Sequence, residues 1–255
     1  MRDIEKEYKM TIAYNPKIVT DGLVLCLDAA NPKSYPGTGT TWTDLSNNGN
    51  TGTLVNSVGY SSNNKGTMTF DGINNYVSTP FTYQNNNDFT MSCWFRTSVT
   101  QRCGLMGFRR AGRTIDWYQT QCYITGNDTA GTSGNYLNFN DFNLSSSVFS
   151  AQRAIFINNI IVTDNVWRNV VITSNSTGAR IYYNSVKVGE NLTTPSPTRL
   201  EAVTFSVGAA SNWPNAPLSG YYFNGNMSNV NFYNRALTAA EISQNFEALR
   251  GRYGI

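Results

Sequence analysis

The chain has 255 residues, enough for one of the larger all-β domains with a substantial buried core, and it is poor in charge (14%) and rich in aromatics (13%). A net charge of +3, with no run of Lys or Arg to track phosphates, argues against nucleic acid as a partner. No apolar stretch approaches a membrane span, and the lack of histidine excludes Ser-His-Asp and Cys-His catalysis.

The N-terminal stretch MRDIEKEYKMTIAYNPKIV carries Asp3, Glu5 and Glu7 and no continuous apolar run, so it does not read as a signal peptide. A second methionine, Met10, makes residues 1–9 an extension or an early start. Residues 1–20 are expected to form an arm that docks rather than joins the core, and residues 21–255 a single sandwich domain. From Leu23 the chain reads as short strands: LVLCLDA, TMTFDG, YVSTPF, FTMSCWFRT, AIFINNIIV, WRNVVIT, ARIYY, VTFSVGA and MSNVNFY. Nearly all are bounded by Gly, Asn, Asp, Ser or Pro. Period-two alternation puts Val170 and Ile172 on one face, and likewise Ile181 and Tyr183. Many short strands without interleaved helices predict an all-β, antiparallel two-sheet sandwich.

Residues 109–150 break this rhythm. They are rich in Gly, Asn, Ser and Thr with interspersed aromatics, and predict irregular strands with long excursions at one end or over one sheet. The basic cluster Arg109, Arg110 and Arg113 reads as a solvated loop. Near the C-terminus, Thr238 and Glu241 fit a capping box, Ile242, Phe246 and Leu249 share one face, and Gly251 supplies a stop; this is the one short helix. Cys26 and Cys93 read as small buried hydrophobes. Cys103 and Cys122 flank an expected hairpin and could pair, but with no export signal the reduced form is expected. For the same reason the sequons at Asn127, Asn143, Asn175, Asn191 and Asn226 are expected to stay unglycosylated.

Five words in order resemble one family. DGLVLCLDAANPKSYPGTGTTWTDLSNNGNTGTL is similar to the opening of concanavalin A-like lectin/glucanase domains of the laminin G-like type. TFDGINNYV, FTMSCWFRT, WRNVVITSNSTGARIYYNSVKV and FNGNMSNVNFYNRALTAAEISQNF resemble its next signature, central strand, long hairpin, and closing strand with helix. The match runs from about Asn15 to the C-terminus, omitting most of 109–150. It implies a jelly-roll sandwich. The opening and closing words look most like those of tailed-phage virion proteins, particularly of cyanophages. Trp42 and Leu45 are expected to plug the core after the first strand, and Trp94 and Trp167 to act as core or near-core anchors. Two departures stand out. Asn75 stands where the family often has Asp, which weakens a calcium site built near Asp71 and Asn75, because calcium needs several charged oxygens. Asn184-Ser185 replaces the usual Asn-Gly or Asp-Gly turn, which predicts a longer turn or one of another type.

The glucanase branch of the resembled superfamily works with two carboxylates alternating on one strand. Only Asp3, Glu5 and Glu7 show that spacing, and they lie outside the resembling region, so no catalytic residue and no enzymatic activity are expected. No cofactor is expected beyond the weak calcium candidates. Two roles follow. One is a virion component (capsid decoration, fibre or tail-associated) acting through other virion proteins, oligomeric or capsid- or tail-bound, made in the host cytoplasm. The other is a lectin-like module for host surface polysaccharide. Saccharide sites use aromatic faces with Asn, Asp and Gly groups, which points to Asp116, Trp117 and Tyr118, or to Trp213 with Tyr221 and Tyr222; loop packing is the alternative for each cluster.

Overall fold

A computed structural model of the chain describes residues 17–83, 88–109, 120–125, 136–145, 148–192, 203–209 and 221–255. The Asp3, Glu5 and Glu7 alternation and Arg110 and Arg113 lie outside these residues. The described strands are, in chain order, β1 (Leu23–Asp28), β2 (Thr41–Trp42), β3 (Gly52–Val55), β4 (Gly59–Ser61), β5 (Thr67–Asp71), β6 (Tyr76–Tyr83), β7 (Phe89–Arg96) and β8 (Cys103–Arg109). They continue as β9 (Thr120–Thr125), β10 (Tyr136–Ser145), β11 (Val148–Ile157), β12 (Arg168–Asn175), β13 (Gly178–Tyr183), β14 (Val186–Asn191), β15 (Val203–Val207) and β16 (Asn224–Tyr233), followed by helix α1 (Ala239–Leu249). No described helix is long and apolar enough to cross a membrane.

These strands form two antiparallel sheets. The first runs β14-β13-β12-β7-β16-β5-β4, with β1 also on β16; β5 pairs with Asn224–Met227 and β1 with the remainder of β16 as far as Tyr233. The second runs β11-β10-β9-β8-β15-β6-β3-β2. Alternation decides what lies between them. Phe232 of the first sheet meets Phe81, Tyr83, Phe108 and Phe205 of the second, with ring centroids 4.9 to 5.8 Å apart. Val170, Ile172, Ile181 and Val230 share that one core, so the sandwich expected from the sequence is the one observed. Tyr183 packs at the core's edge.

The first sheet is buried on its other face too. There Trp94 stacks on Phe246 (5.4 Å) and on Tyr253 (4.2 Å), and Trp167 lies 4.8 Å from Tyr253. Val171, Tyr182 and Tyr233 pack beside them against Leu237 and Ile242. Trp94 and Trp167 are therefore anchors, but of this helix layer rather than of the space between the sheets. The capping box is formed: Thr238 Oγ1 accepts from Glu241 N, and Glu241 accepts from Thr238 N at 2.8 Å. The helix does not stop on Gly251. It passes into a 3-10 turn over Arg250–Arg252, and Gly254 takes the left-handed φ of +74°. Residues 17–20 lie along α1, where Val19 N donates to Asn245 Oδ1 (2.7 Å) and Gln244 Nε2 donates to the Lys17 carbonyl (2.8 Å).

Three local expectations are corrected. The strands described within and beyond 109–150 are regular and not irregular: β9, β10 and β11 extend the second sheet, and β10 and β11 form a long hairpin with one register shift, while the expected excursions at 110–119 and 126–135 lie outside the described residues. The Asn184-Ser185 turn is the tight two-residue kind, with both φ values positive (47° and 66°); Asn184 Oδ1, accepting from Asn169 N at 2.9 Å, holds the strained pair in place. After β1, Trp42 is fully buried but Leu45 is only half-buried. The buried lock there is Asp44, whose carboxylate accepts from Cys26 N, Ser46 N and Asn50 N.

Candidate functional site

The outer face of the second sheet carries different chemistry from its inner face. In β9, Cys122 and Ile124 enter the core, so Gln121, Tyr123 and Thr125 point out. In β10, Leu137 and Phe139 enter the core, so Tyr136, Asn138 and Asn140 point out. Register sets these side by side: Asn140 opposite Gln121, Asn138 opposite Tyr123, Tyr136 opposite Thr125. On the next strand, Phe156 stands opposite Asn138 on the same face. On the other side, β8 contributes the glycines Gly104 and Gly107. A Cβ at Gly107 would come within 2.6 Å of the Thr120 carbonyl, so only glycine permits this close approach of β8 and β9.

Hydrogen bonds fix the row. Asn140 Nδ2 donates to the Tyr123 hydroxyl at 2.9 Å. Asn138 Nδ2 donates to Thr125 Oγ1 (3.2 Å) and to the Tyr136 carbonyl (3.1 Å). A carbonyl can only accept, which fixes the orientation of the Asn138 amide. The opposite ends of these groups are not satisfied. Gln121 Oε1, Asn138 Oδ1 and Asn140 Oδ1 are buried acceptors without a donor, a condition that costs on the order of 1–3 kcal/mol for each such group. At one end, the Arg102 guanidinium is held between two rings, its centre 5.0 Å from the Tyr123 centroid and 4.7 Å from that of Tyr221. Gly104 N donates to the Tyr221 carbonyl at 3.0 Å, tying that stack to β8. Burial pushes the Tyr123 hydroxyl above its usual titration range, so it remains a protonated, neutral group.

Of the residues singled out from the sequence, Tyr221 belongs to this face and Tyr222 is its neighbour, bridged to Ala209 with its ring 6.4 Å from that of Tyr76. Asp116, Trp117, Tyr118 and Trp213 lie outside the described residues. Sequence reasoning missed Arg102, Gln121, Tyr123, Asn138, Asn140 and Phe156. The signal was present as alternation: QCYIT and YLNFN each place polar or aromatic side chains between core residues.

The calcium candidates do not fit a cation. Asp71 Oδ1 accepts from Ile73 N (2.8 Å) and Asn74 N, while Asn75 Oδ1 accepts from Asp71 N (3.1 Å) and its amide nitrogen donates to the Asn56 carbonyl. These oxygens lock a turn and do not converge on one point, and among the described residues no group of three or more acids or cysteines gathers elsewhere. The four cysteines are free and buried. Desolvation holds the Cys26 and Cys103 thiols up at about 12, so both stay protonated and unreactive. The one acid in the described strands of the second sheet, Asp141, shares the inward register of Leu137 and Phe139 and accepts from Thr120 Oγ1 at 2.7 Å. Beside it the buried Arg153 crosses to the first sheet, donating to the Asn175 carbonyl at 2.7 Å.

A family model described as the concanavalin A-like lectin/glucanases superfamily matches residues 70–243. No curated protein matches the chain at a significant level. Among solved structures, the binding domain of a Paraclostridial mosquitocidal protein superposes with a TM-score of 0.64 at 15% identity, covering 89% of this chain and 52% of that one. A structure of botulinum neurotoxin type C, whose cell entry is described as dependent upon interaction with two ganglioside molecules, gives 0.62 at 15% identity, covering 91% and 52%. Domain 4 of an extracellular arabinanase from Geobacillus stearothermophilus, in complex with arabinotriose, gives 0.57 at 13% identity, covering 88% and 97%. The chain thus spans about half the length of the two toxin structures. At these identities the likeness is one of fold.

Proposed function

The chain belongs to the concanavalin A-like lectin/glucanases superfamily, and from that premise we propose that it is a non-catalytic carbohydrate-binding module whose contact surface is the outer face of the second sheet. The observation that carries this reading is the row of three buried amide oxygens without donors, on Gln121, Asn138 and Asn140, set among Tyr123, Arg102 and Tyr221. Amide side chains and aromatic rings are the groups with which proteins meet the hydroxyls and apolar faces of sugars. The glycan-related descriptions of the arabinanase domain and the type C neurotoxin agree with this reading. A hydrolase needs a pair of carboxylates facing the substrate; in the described strands of the second sheet the sole acid, Asp141, faces inward.

The test is a titration against immobilised glycans. Saturable binding that weakens at least tenfold in Tyr221→Ala, with the thermal midpoint kept, supports the proposal. Release of reducing sugar from polysaccharide would replace it with a hydrolase. Failure to bind any saccharide would defeat it. The virion role rests on the resemblance of the opening and closing words to phage proteins. It is compatible with glycan binding, and stoichiometric presence of the chain in purified particles is its test.

A further inference from the structure

The layer between the first sheet and α1 holds an enclosed cavity of about 10 Å³, lined by Ser92, Asn169, Asn231 and Asn245 together with apolar neighbours that include Trp94 and Val171. That is room for about one water molecule. Val230 and Phe232 enter the core between the sheets, so Asn231, which lies between them in β16, faces the helix. Its register partner on β7 is Ser92.

Two of these side chains have hydrogen-bonding capacity left over. Asn231 is 2% exposed; its Nδ2 donates to Asn229 Oδ1 at 2.7 Å, and its Oδ1 is a buried acceptor without a donor among the described residues. Asn245, on α1, belongs to a closed triad. Its Oδ1 accepts from Val19 N (2.7 Å), its Nδ2 donates to the Tyr233 hydroxyl (3.0 Å), and that hydroxyl donates to the Val19 carbonyl (3.0 Å). An amide nitrogen carries two hydrogens, and the triad uses one of them. A donor on the helix and an acceptor on the sheet therefore line the same small cavity. An apolar cavity of this kind stays dry, whereas one with several polar partners holds water.

We infer that this cavity is an internal hydration site, in which one water accepts from Asn245 Nδ2, donates to Asn231 Oδ1 and meets the Ser92 hydroxyl. α1 is then fastened to the first sheet by a polar link as well as by apolar packing. Asn245 carries that link on to Val19, so the incoming segment, the helix and the sheet share one hydrogen-bonded network. The site is independent of what the opposite face of the molecule binds.

The experiment is a crystal structure of the full chain at a resolution that places ordered water, with Asn231→Leu alongside. The expected result is one water within about 2.7–3.2 Å of both Asn231 Oδ1 and Asn245 Nδ2. It should be lost in Asn231→Leu, which removes the acceptor and fills the space. Should that variant not fold, NMR of the wild type gives the second readout: a long-lived internal water produces cross-relaxation between the water signal and the Asn245 side-chain amide protons. A dry cavity without that cross-relaxation overturns the site, as does an Asn245 or Ser92 side chain turned directly onto Asn231 Oδ1. A water that persists in Asn231→Leu overturns Asn231 as its acceptor.

Discussion

β12 and β9 are both strands with side chains buried on each face, yet what lies outside them differs. Outside β12, Val171 packs with Tyr182, Tyr233, Leu237 and Ile242 beneath α1. Outside β9, Gln121, Tyr123 and Thr125 face amides and hydroxyls across the strand pair. The first surface satisfies itself, since apolar groups need only be covered. The second does not, because three of its acceptors lack donors. A sandwich needs only one core, so each outer face is free to serve another purpose. Here one is spent on a third layer that stabilises the fold, and the other is left chemically unsaturated. The contrast predicts that substitutions under α1 act on stability and that substitutions on the opposite face act on binding.

The largest expected effect lies under the helix. Trp94→Ala removes the ring that stacks on both Phe246 and Tyr253, and should cost about 3–5 kcal/mol in urea unfolding. The glycan affinity of the molecules that remain folded should not change. A loss below about 1 kcal/mol would show that α1 merely rests on the sheet. Val171→Asn comes next. It buries an amide among Tyr182, Tyr233 and Ile242 with no partner provided, and should cost about 2–4 kcal/mol.

A smaller effect isolates the helix cap from the packing. Charge-assisted hydrogen bonds from Arg235, together with those from Thr238, hold the Glu241 carboxyl down at about 2. Because its folded value is below the unfolded one, its contribution is present in full above about pH 4.5 and is lost as pH falls through about 2. Glu241→Gln should therefore cost about 1 kcal/mol near neutrality. It should also flatten the decline of the urea midpoint between pH 5 and roughly pH 2. A variant that loses stability equally at both ends of that range would place the effect in packing instead.

The two faces were not equally legible in the sequence. Alternation in WRNVVIT and ARIYY assigned Val170, Ile172 and Ile181 to the core because an apolar period of two has one physical meaning. The cap at Thr238 was legible because all its groups lie within four residues. The outer face of the second sheet was not read, because its members come from four segments: Arg102, Tyr123, Asn138 and Tyr221 meet only after β8, β9 and β10 have paired. Period two says that Asn138 and Asn140 point away from the core, but it is silent on which strand lies alongside. Attention to tryptophan in loops favoured Trp117 and Trp213 over the tyrosine and amides carried by the strands. Asp44 was overlooked for a related reason: a buried carboxylate that accepts three backbone amides looks, in sequence, like any polar turn residue.

The smallest stability effect is the most informative. Asn138→Leu keeps the volume of the side chain and removes both its satisfied nitrogen and its unsatisfied oxygen. The Tyr136 carbonyl retains a donor in Thr125 Oγ1, so no new orphan is created. Replacing a half-satisfied buried amide by an apolar group of similar shape is close to neutral, and a change within about 1 kcal/mol of zero is expected. Glycan affinity should nevertheless fall, since an acceptor has been removed from the row. If the face were only a structural layer like the one under α1, Asn138→Leu would alter stability and leave no trace in binding. If it is a contact surface, the amide is retained for what it recognises, and affinity falls while stability holds.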